Sequence, residues 1–174
     1  MTRYAAFLRG VNLGKRTVKS AELKAAFEAM GFDNVKTLLA SGNVLFDARA
    51  SKSLQTKIEA GLHSQFGFVV GTVLRSLDEL RAMVATDPFS GASEDFSKKL
   101  YLLMFAEDLP KGFTIKGVAN DYEFPLVNRR EIAMIGYRKP DGNYSAGLLG
   151  IEKMLPKGML VTTRNWNTIL KAVA

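Results

Sequence analysis

The loop after the first apolar run contains the residues best suited to bind an anion. Residues 9–16, Arg-Gly-Val-Asn-Leu-Gly-Lys-Arg, combine two glycines with three basic side chains. A phosphate-binding P-loop has four residues between its glycines and a hydroxyl residue directly after its lysine. Here three residues separate Gly10 from Gly14, and Arg16 follows Lys15. The loop is therefore not a P-loop.

The same loop could still form a looser anion site. Backbone amides of a glycine-rich turn and a helix N-terminus both attract negative charge, and a helix capped by Ser20 is predicted to follow this loop. The candidate ligand-binding residues are Arg9, Gly10, Asn12, Gly14, Lys15 and Arg16. The alternative is a turn shaped by its glycines, with the basic side chains in solvent.

A second candidate segment is the turn formed by Ser41, Gly42 and Asn43. Glycine and asparagine both tolerate a positive φ, so this pair between two apolar runs predicts a β-hairpin. In a ferredoxin-like sheet the first two strands run in the same direction, and we expect the turn to share a sheet edge with the 9–16 loop. The alternative is a hairpin turn with no ligand.

The third candidate segment contains the only tryptophan of the chain. Arg164, Asn165, Trp166 and Asn167 could together stack on a base or a sugar and hydrogen-bond to it. The alternative is structural: one of the asparagines caps the terminal helix, and Trp166 fills part of the core.

The rest of the sequence offers little for catalysis or metal binding. The chain has no cysteine and one histidine, His63, which excludes thiol chemistry and multi-histidine metal sites. We expect His63 at the surface and the acidic pairs 94–95 and 107–108 (Glu-Asp in both cases) to be solvated loop charge. We predict no metal and no cofactor, assign no catalytic residue, and leave open whether the protein is an enzyme.

Apolar periodicity divides the first half of the chain into six elements. Strands are predicted near residues 3–8, 35–40, 44–46 and 69–74. Two helices are predicted from apolar residues at helical spacing, which are Leu23, Phe27 and Met30, and then Leu54, Ile58 and Leu62. The resulting order, β-α-β-β-α-β, is that of a ferredoxin-like unit with a four-stranded antiparallel sheet.

The second half predicts a similar order with less regularity. Residues 100–106 are continuously apolar and indicate a central strand buried on both faces. Further strands are predicted at 122–127, 131–138 and 159–163. A helix with apolar residues Leu148, Ile151 and Leu155 is predicted before the last strand, and a terminal helix at 168–174. A short helix over residues 111–119 would complete a second β-α-β-β-α-β order, although its two glycines are unfavourable.

These elements predict an α+β protein built from two ferredoxin-like lobes, with mainly antiparallel sheets and an irregular second lobe. Ser76 and Glu79 form a capping-box pattern, which predicts a third helix after the first lobe. The predicted organisation is a first lobe at 1–75, a helix and connector at 76–97, and a second lobe at 98–174.

Composition limits the class of protein and its partners. The 174 residues are 47% hydrophobic with a net charge of +7, which excludes a wholly disordered chain and favours anionic partners. The longest apolar run has seven residues, about a third of a membrane span. The first residues lack the apolar core of a signal peptide. We therefore expect a soluble, cytoplasmic protein that does not bind membranes.

Three groups of segments carry a resemblance to a known family. They are FLRGVNLG, LLASGNVLF, and PDG followed by LLGIEKML and VTTRNWNTILK. In this order they resemble the bacterial family of conserved hypothetical proteins known as domain of unknown function 1697. The resemblance implies a two-lobed α+β fold built from ferredoxin-like halves and implies no activity. Its hallmark segments correspond to residues 9–14, 41–43 and 163–168.

Three functions are consistent with the sequence. The favoured one is binding of a small phosphate-bearing or nucleotide-like molecule at the edge of the first lobe. The second is sequence-tolerant binding of nucleic acid, although the segment 41–46 lacks the stacking aromatics of an RNA-recognition domain. The third is an interaction or scaffold protein with no small ligand, in which all three segments serve as turns and caps.

Overall fold

The computed structural model describes residues 1–39, 42–144 and 147–174. The chain divides into two compact units. The first contains Met1–Ala82 together with Leu170–Ala174, and the second contains Met83–Ile169. Both are α+β units with one four-stranded antiparallel sheet each, which confirms the predicted fold class.

The first unit has the predicted β-α-β-β-α-β order. Its elements are β1 (Thr2–Arg9), α1 (Ser20–Ala29), β2 (Asp33–Thr37), β3 (Asn43–Ala48), α2 (Leu54–Phe66) and β4 (Gly71–Ser76), followed by α3 (Leu77–Ala85). The strand order across the sheet is β2-β3-β1-β4, with every neighbouring pair antiparallel. This is the strand order of a ferredoxin-like fold, in which β1 and β3 are central.

The apolar faces of α1 and α2 pack on one side of this sheet. The residues that predicted the two helices are the ones that face the core: Leu23 and Phe27 of α1, and Leu54, Ile58 and Leu62 of α2, are buried. An aromatic cluster lies at the centre. Its members are in ring contact with Phe46 of β3, at centroid distances of 4.7 Å for Phe32, 5.3 Å for Phe27 and 5.8 Å for Tyr4.

The capping pattern at α3 forms as predicted, whereas the predicted cap of α1 is wrong. The Ser76 amide donates to the Glu79 carboxylate at 2.7 Å, and the Glu79 amide donates to Ser76 Oγ at 3.2 Å. At α1 the cap position belongs to Lys19, and Ser20 is the first helical residue. The Lys19 amide donates to Glu22 Oε2 at 2.7 Å, which is the half of a capping box that a glutamate in the first turn supplies.

The second unit repeats the strand arrangement of the first. Its elements are β5 (Lys98–Phe105), β6 (Tyr122–Val127), β7 (Glu131–Tyr137), α4 (Gly147–Glu152), β8 (Val161–Asn165) and the first residues of α5 (Trp166–Val173). The strand order is β6-β7-β5-β8. Leu100 and residues 102–105 of the inner strand β5 are at most 1% exposed, which confirms that this strand is buried on both faces.

The connection from β5 to β6 departs from the regular pattern. Residues 111–119 form turns and an isolated bridge at Val118, and the helix considered for them is absent from this described segment. The Val118 amide donates to the Tyr122 carbonyl at 2.9 Å. A Cβ at Gly117 would lie 2.5 Å from the same carbonyl oxygen, so the backbone approaches too closely for any other residue. The second unit is irregular, as predicted, and this connection is the reason.

An ion pair fastens β1 to the β2–β3 hairpin and makes the first unit sensitive to acid. Arg3 contacts Asp47 at 3.0 Å, and Asn34 Nδ2 donates to the same carboxylate at 2.6 Å. The bond from Asn34 lowers the pKa of Asp47 below its usual value of 3.8, and Arg3 lowers that pKa further.

Replacement of Asp47 by asparagine should therefore cost about 1 kcal/mol at neutral pH. Because the folded-state pKa is depressed, the contribution of Asp47 is complete above pH 3.8 and disappears as the pH falls through the folded value. Urea unfolding of the wild type and the variant between pH 7 and pH 2 checks this, with Glu107→Gln as an exposed control. A stability difference that persists unchanged at the lowest pH would contradict the role given to the charge.

None of the helices described by the structure combines the length and the hydropathy needed to cross a membrane.

Candidate functional site

The 9–16 loop follows β1 at one end of the strands of the first sheet, and the side chain of Asn12 stabilises it. Arg9, the last residue of β1, pairs with Gly71 at the start of β4. Asn12 Oδ1 accepts a hydrogen bond from the Val18 amide at 2.8 Å, and the Arg16 amide donates to the Leu13 carbonyl at 2.9 Å. The side-chain oxygen of Asn12 thus fixes the shape of the loop.

The basic side chains of this loop lie at the surface. Arg9, Lys15 and Arg16 are all exposed. The guanidinium carbon of Arg16 lies 4.4 Å from the centroid of the Phe68 ring, an arrangement that restricts the guanidinium and leaves its N–H groups able to donate. The start of α1, which was expected to add positive potential, already has the Glu22 carboxylate on its first turn, and this reduces its contribution.

Exposed apolar side chains flank the same loop. Leu13 is 60% exposed and Val69 is 78% exposed. A Cβ on Gly10 would lie 3.7 Å from both Leu13 Cδ1 and the Val69 carbonyl oxygen, so the Leu13 side chain and the Val69 backbone both lie close to this glycine. We call the surface made by these exposed side chains the β1-exit surface; it consists of Arg9, Leu13, Lys15, Arg16 and Val69.

The described part of the 41–43 turn lies beside the end of β1. The Leu8 amide donates to the Gly42 carbonyl at 2.8 Å. Gly42 has a φ of +70°, which favours glycine, and a Cβ there would lie in tight contact, 3.2 Å from Leu8 Cβ. Asn43 is 4% exposed, and its Nδ2 donates to the Leu38 carbonyl at 3.1 Å. Ser41, the third predicted residue of this turn, lies outside the described residues.

The 9–16 loop and the described part of the 41–43 turn therefore lie at the same end of the strands, but their asparagines stabilise the fold. Asn12 and Asn43 are engaged with neighbouring backbone groups. The exposed side chains at this end of the strands include the cations and the apolar residues of the β1-exit surface.

The third predicted segment belongs to the second unit. Trp166 is buried, Arg164 and Asn165 are half-buried, and Asn167 is exposed. Arg164 donates from one terminal nitrogen to Thr162 Oγ1 at 2.6 Å and to the Thr163 carbonyl at 2.9 Å. Burial lowers the pKa of Arg164 to about 10. Trp166 is 8% exposed and meets Phe89 edge-on at 5.1 Å between ring centroids. These are the contacts of core residues, in agreement with the structural alternative for Trp166.

Asn165 and Asn167 donate hydrogen bonds to the carboxylate of Glu94, which was not predicted to be part of a site. Asn165 Oδ1 accepts a hydrogen bond from the backbone amide of Asn167 at 2.9 Å, and this is the predicted cap of the terminal helix. Asn165 Nδ2 donates to Glu94 Oε1, Asn167 Nδ2 donates to Glu94 Oε2 at 3.3 Å, and the Leu100 amide donates to Glu94 Oε1 at 2.8 Å. The expectation that Glu94 is merely solvated charge is therefore wrong.

No local signal distinguishes Glu94 from its neighbour. Asp95 has the same charge one residue later, and among the described residues its carboxylate accepts from the nearby Ser97 and Lys98. The partners of Glu94 in the terminal segment are more than 70 residues away, so only the fold brings them together.

A cavity in the first unit was also missed by the sequence analysis. It has a volume of about 430 Å³ and is lined by Gly31, Phe32, Arg49, Ser51, Leu54, Lys57 and their neighbours. Its basic residues, Arg49 and Lys57, are separated in the sequence by a mixed segment that contains a further lysine, and they resemble ordinary surface charge. As for metals, the described residues contain no group of three or more His, Cys, Asp or Glu side chains that could hold an ion.

Comparison with known proteins identifies a matching family and a similar structure, and neither assigns a ligand to the chain. A family model described as "Protein of unknown function (DUF1697)" matches residues 1–123. In structure, the chain is similar to the conserved bacterial protein SP0830 from Streptococcus pneumoniae, with a TM-score of 0.73, 24% sequence identity, and coverage of 99% of this chain and 97% of that chain. Likeness at that identity shows the fold alone. No curated protein matches the chain.

Proposed function

We propose that this chain, which belongs to the DUF1697 family of proteins of unknown function, binds a small phosphate-bearing or nucleotide-like molecule at the β1-exit surface. The observation that carries the proposal is the stacking of Arg16 on Phe68, beside the exposed Arg9 and Lys15. A stacked guanidinium loses less conformational entropy when it binds a phosphate, and it can donate two parallel hydrogen bonds.

The apolar part of the β1-exit surface suits the rest of such a ligand. Leu13 and Val69 are large exposed hydrophobic residues next to the cations, and a base or sugar face could cover them while its phosphate meets Arg16. This role was predicted for Trp166, whose ring is buried. The proposal is one of binding and includes no reaction.

Nucleic acid is the second candidate, and the structure disfavours one way of binding it. RNA-recognition domains stack bases on aromatic side chains of an open sheet face. In the first sheet Phe7 and Phe46 are at most 1% exposed, and Tyr4 is stacked on Phe46. Binding of the phosphate backbone by the basic loop is the remaining form of this hypothesis, and it predicts a steep salt dependence.

The test is a thermal-shift panel at low and high salt with inorganic phosphate, mononucleotides, sugar phosphates and oligonucleotides. A ligand present at a hundred times its Kd should stabilise the protein by about 2.7 kcal/mol. We expect one small molecule to give a shift that survives salt, and Lys15→Glu and Arg16→Glu to abolish it without loss of stability. Lys116→Glu makes the same charge change at an exposed position of the second unit and should retain the shift.

Three outcomes would contradict the proposal. A shift from oligonucleotides alone that disappears in high salt would favour the nucleic-acid hypothesis. Equal binding by the wild type and both loop variants would exclude the β1-exit surface. The absence of any shift from phosphates, nucleotides and sugar phosphates would favour a protein that binds no small ligand of this class.

A further inference from the structure

The cavity of the first unit lies at the opposite end of the strands from the β1-exit surface. It opens where β3 ends and α2 begins, next to the turn after α1, and its volume is about 430 Å³. Cavities of roughly 300–1,000 Å³ are typical of small-molecule sites. The size therefore fits a small organic ligand.

The polar lining of this cavity is suited to an oxyanion. Its charged side chains, within the part of the chain that the structure describes, are Arg49 and Lys57, and both are cationic. Ser51 and Ser53 add two hydroxyl groups, whose oxygens lie 2.8 Å apart and form a hydrogen bond. A hydroxyl pair of this kind can donate one further hydrogen bond to an acceptor in the cavity.

The beginning of α2 adds to the positive potential of the cavity. Its first turn, Leu-Gln-Thr-Lys, contains no carboxylate, in contrast to the Glu22 carboxylate that occupies the start of α1. An anion at this end of a 13-residue helix interacts favourably with the helix dipole. This contribution acts together with the two cations and would not define a site without them.

The apolar lining of the cavity is suited to a flat or aliphatic ligand body. Phe32 and Leu54 line the wall. The Lys57 ammonium lies 4.8 Å from the centroid of the Phe32 ring, so the cation and the apolar surface are adjacent. A ligand that reaches both needs an anionic group joined to an apolar body by a short connection.

We propose that this cavity binds a small organic oxyanion, a carboxylate or phosphate group attached to an apolar body, with Arg49 and Lys57 pairing with the charge and Phe32 and Leu54 contacting the body. The proposal does not depend on the β1-exit surface, because the two sites share no residue and lie at opposite ends of the strands.

The experiment is isothermal titration of the full chain with benzoate, phenyl phosphate and inorganic phosphate. We expect saturable binding of at least one aromatic anion, and weaker binding of inorganic phosphate, which has no apolar body. Arg49→Gln and Lys57→Gln should each reduce the affinity about tenfold, a typical loss for one charge-assisted hydrogen bond. Lys52→Gln removes an exposed charge from the same loop and should leave the affinity unchanged.

The benzoate and phenyl phosphate titrations distinguish a carboxylate site from a phosphate site. Far-UV circular dichroism of each variant confirms that it is folded, as expected for exposed positions. The proposal is overturned if none of the three anions binds up to about 10 mM, or if Arg49→Gln and Lys57→Gln bind as the wild type does. The second result includes the case in which the anions bind at the β1-exit surface instead. Equal affinity for phenyl phosphate and inorganic phosphate would exclude the role of the apolar wall.

Discussion

Replacement of Phe46 by alanine should lower the free energy of unfolding by about 3–5 kcal/mol, as expected for the loss of a buried aromatic side chain. Phe46 is fully buried and is in ring contact with Tyr4, Phe27 and Phe32. These rings come from β1, α1, the turn before β2, and β3. The substitution leaves a void at the point where the sheet meets its helices, and the surrounding elements can collapse into it only in part.

The measurement is urea unfolding followed by far-UV circular dichroism, with Phe96→Ala as the matched control. Phe96 is 75% exposed, and Arg138 is stacked on it with its guanidinium carbon 3.7 Å from the ring centroid. Its removal should cost at most about 1 kcal/mol. Equal losses at the two positions would show that the cluster around Phe46 is not the centre of the first core.

The elements of the first unit were predictable because their signals are local. In α2 the residues Leu54, Ile58 and Leu62 repeat at helical spacing, and all three are buried. The hydrogen bonds between Ser76 and Glu79 close within four residues. A feature whose cause lies within one turn of helix or one strand can be read without knowledge of the tertiary structure.

The features that sequence reasoning missed depend on contacts that reach beyond one turn of helix or one strand. In the connection at 111–119 the backbone at Gly117 closely approaches the Tyr122 carbonyl, a contact that composition does not reveal. At the candidate site, residue types suggested that Asn12 and Asn43 face a ligand. Both instead bond to backbone groups of the fold. The chemistry of a side chain was readable from the sequence, but its direction was not.

This distinction also separates the two anion sites proposed for the first unit. The β1-exit surface was found because its cations are concentrated in one short loop with no acid between Arg9 and Lys19. The second site was not found, because it depends on the shape of the surface. Arg49 and Lys57 have the sequence pattern of ordinary surface charges, and only the fold brings them together with Phe32 in the lining of one cavity. Surface charge attracts anions, but a cavity is needed to select among them.

Replacement of Glu94 by alanine should lower the free energy of unfolding by about 2–4 kcal/mol, since hydrogen bonds to a charged acceptor are the strong ones and three donors lose their partner. The donors are the Leu100 amide and the side chains of Asn165 and Asn167. Leu100 is 1% exposed, so water cannot readily replace the carboxylate at its amide. The loss should release the connector before β5 from the segment that starts α5.

Trp166 provides the measurement, because the only tryptophan of the chain lies between the two asparagines that bind Glu94. We expect its fluorescence to report a lower urea midpoint in Glu94→Ala and an unchanged midpoint in Glu107→Ala, which removes an exposed glutamate from the other acidic pair. Glu94→Gln should fall between the two, since its amide keeps one acceptor oxygen and directs a donor at groups that are themselves donors. If Glu94→Ala and Glu107→Ala unfold at the same urea concentration, the carboxylate is solvated in the folded protein and the bridge between the connector and the terminal segment contributes nothing to stability.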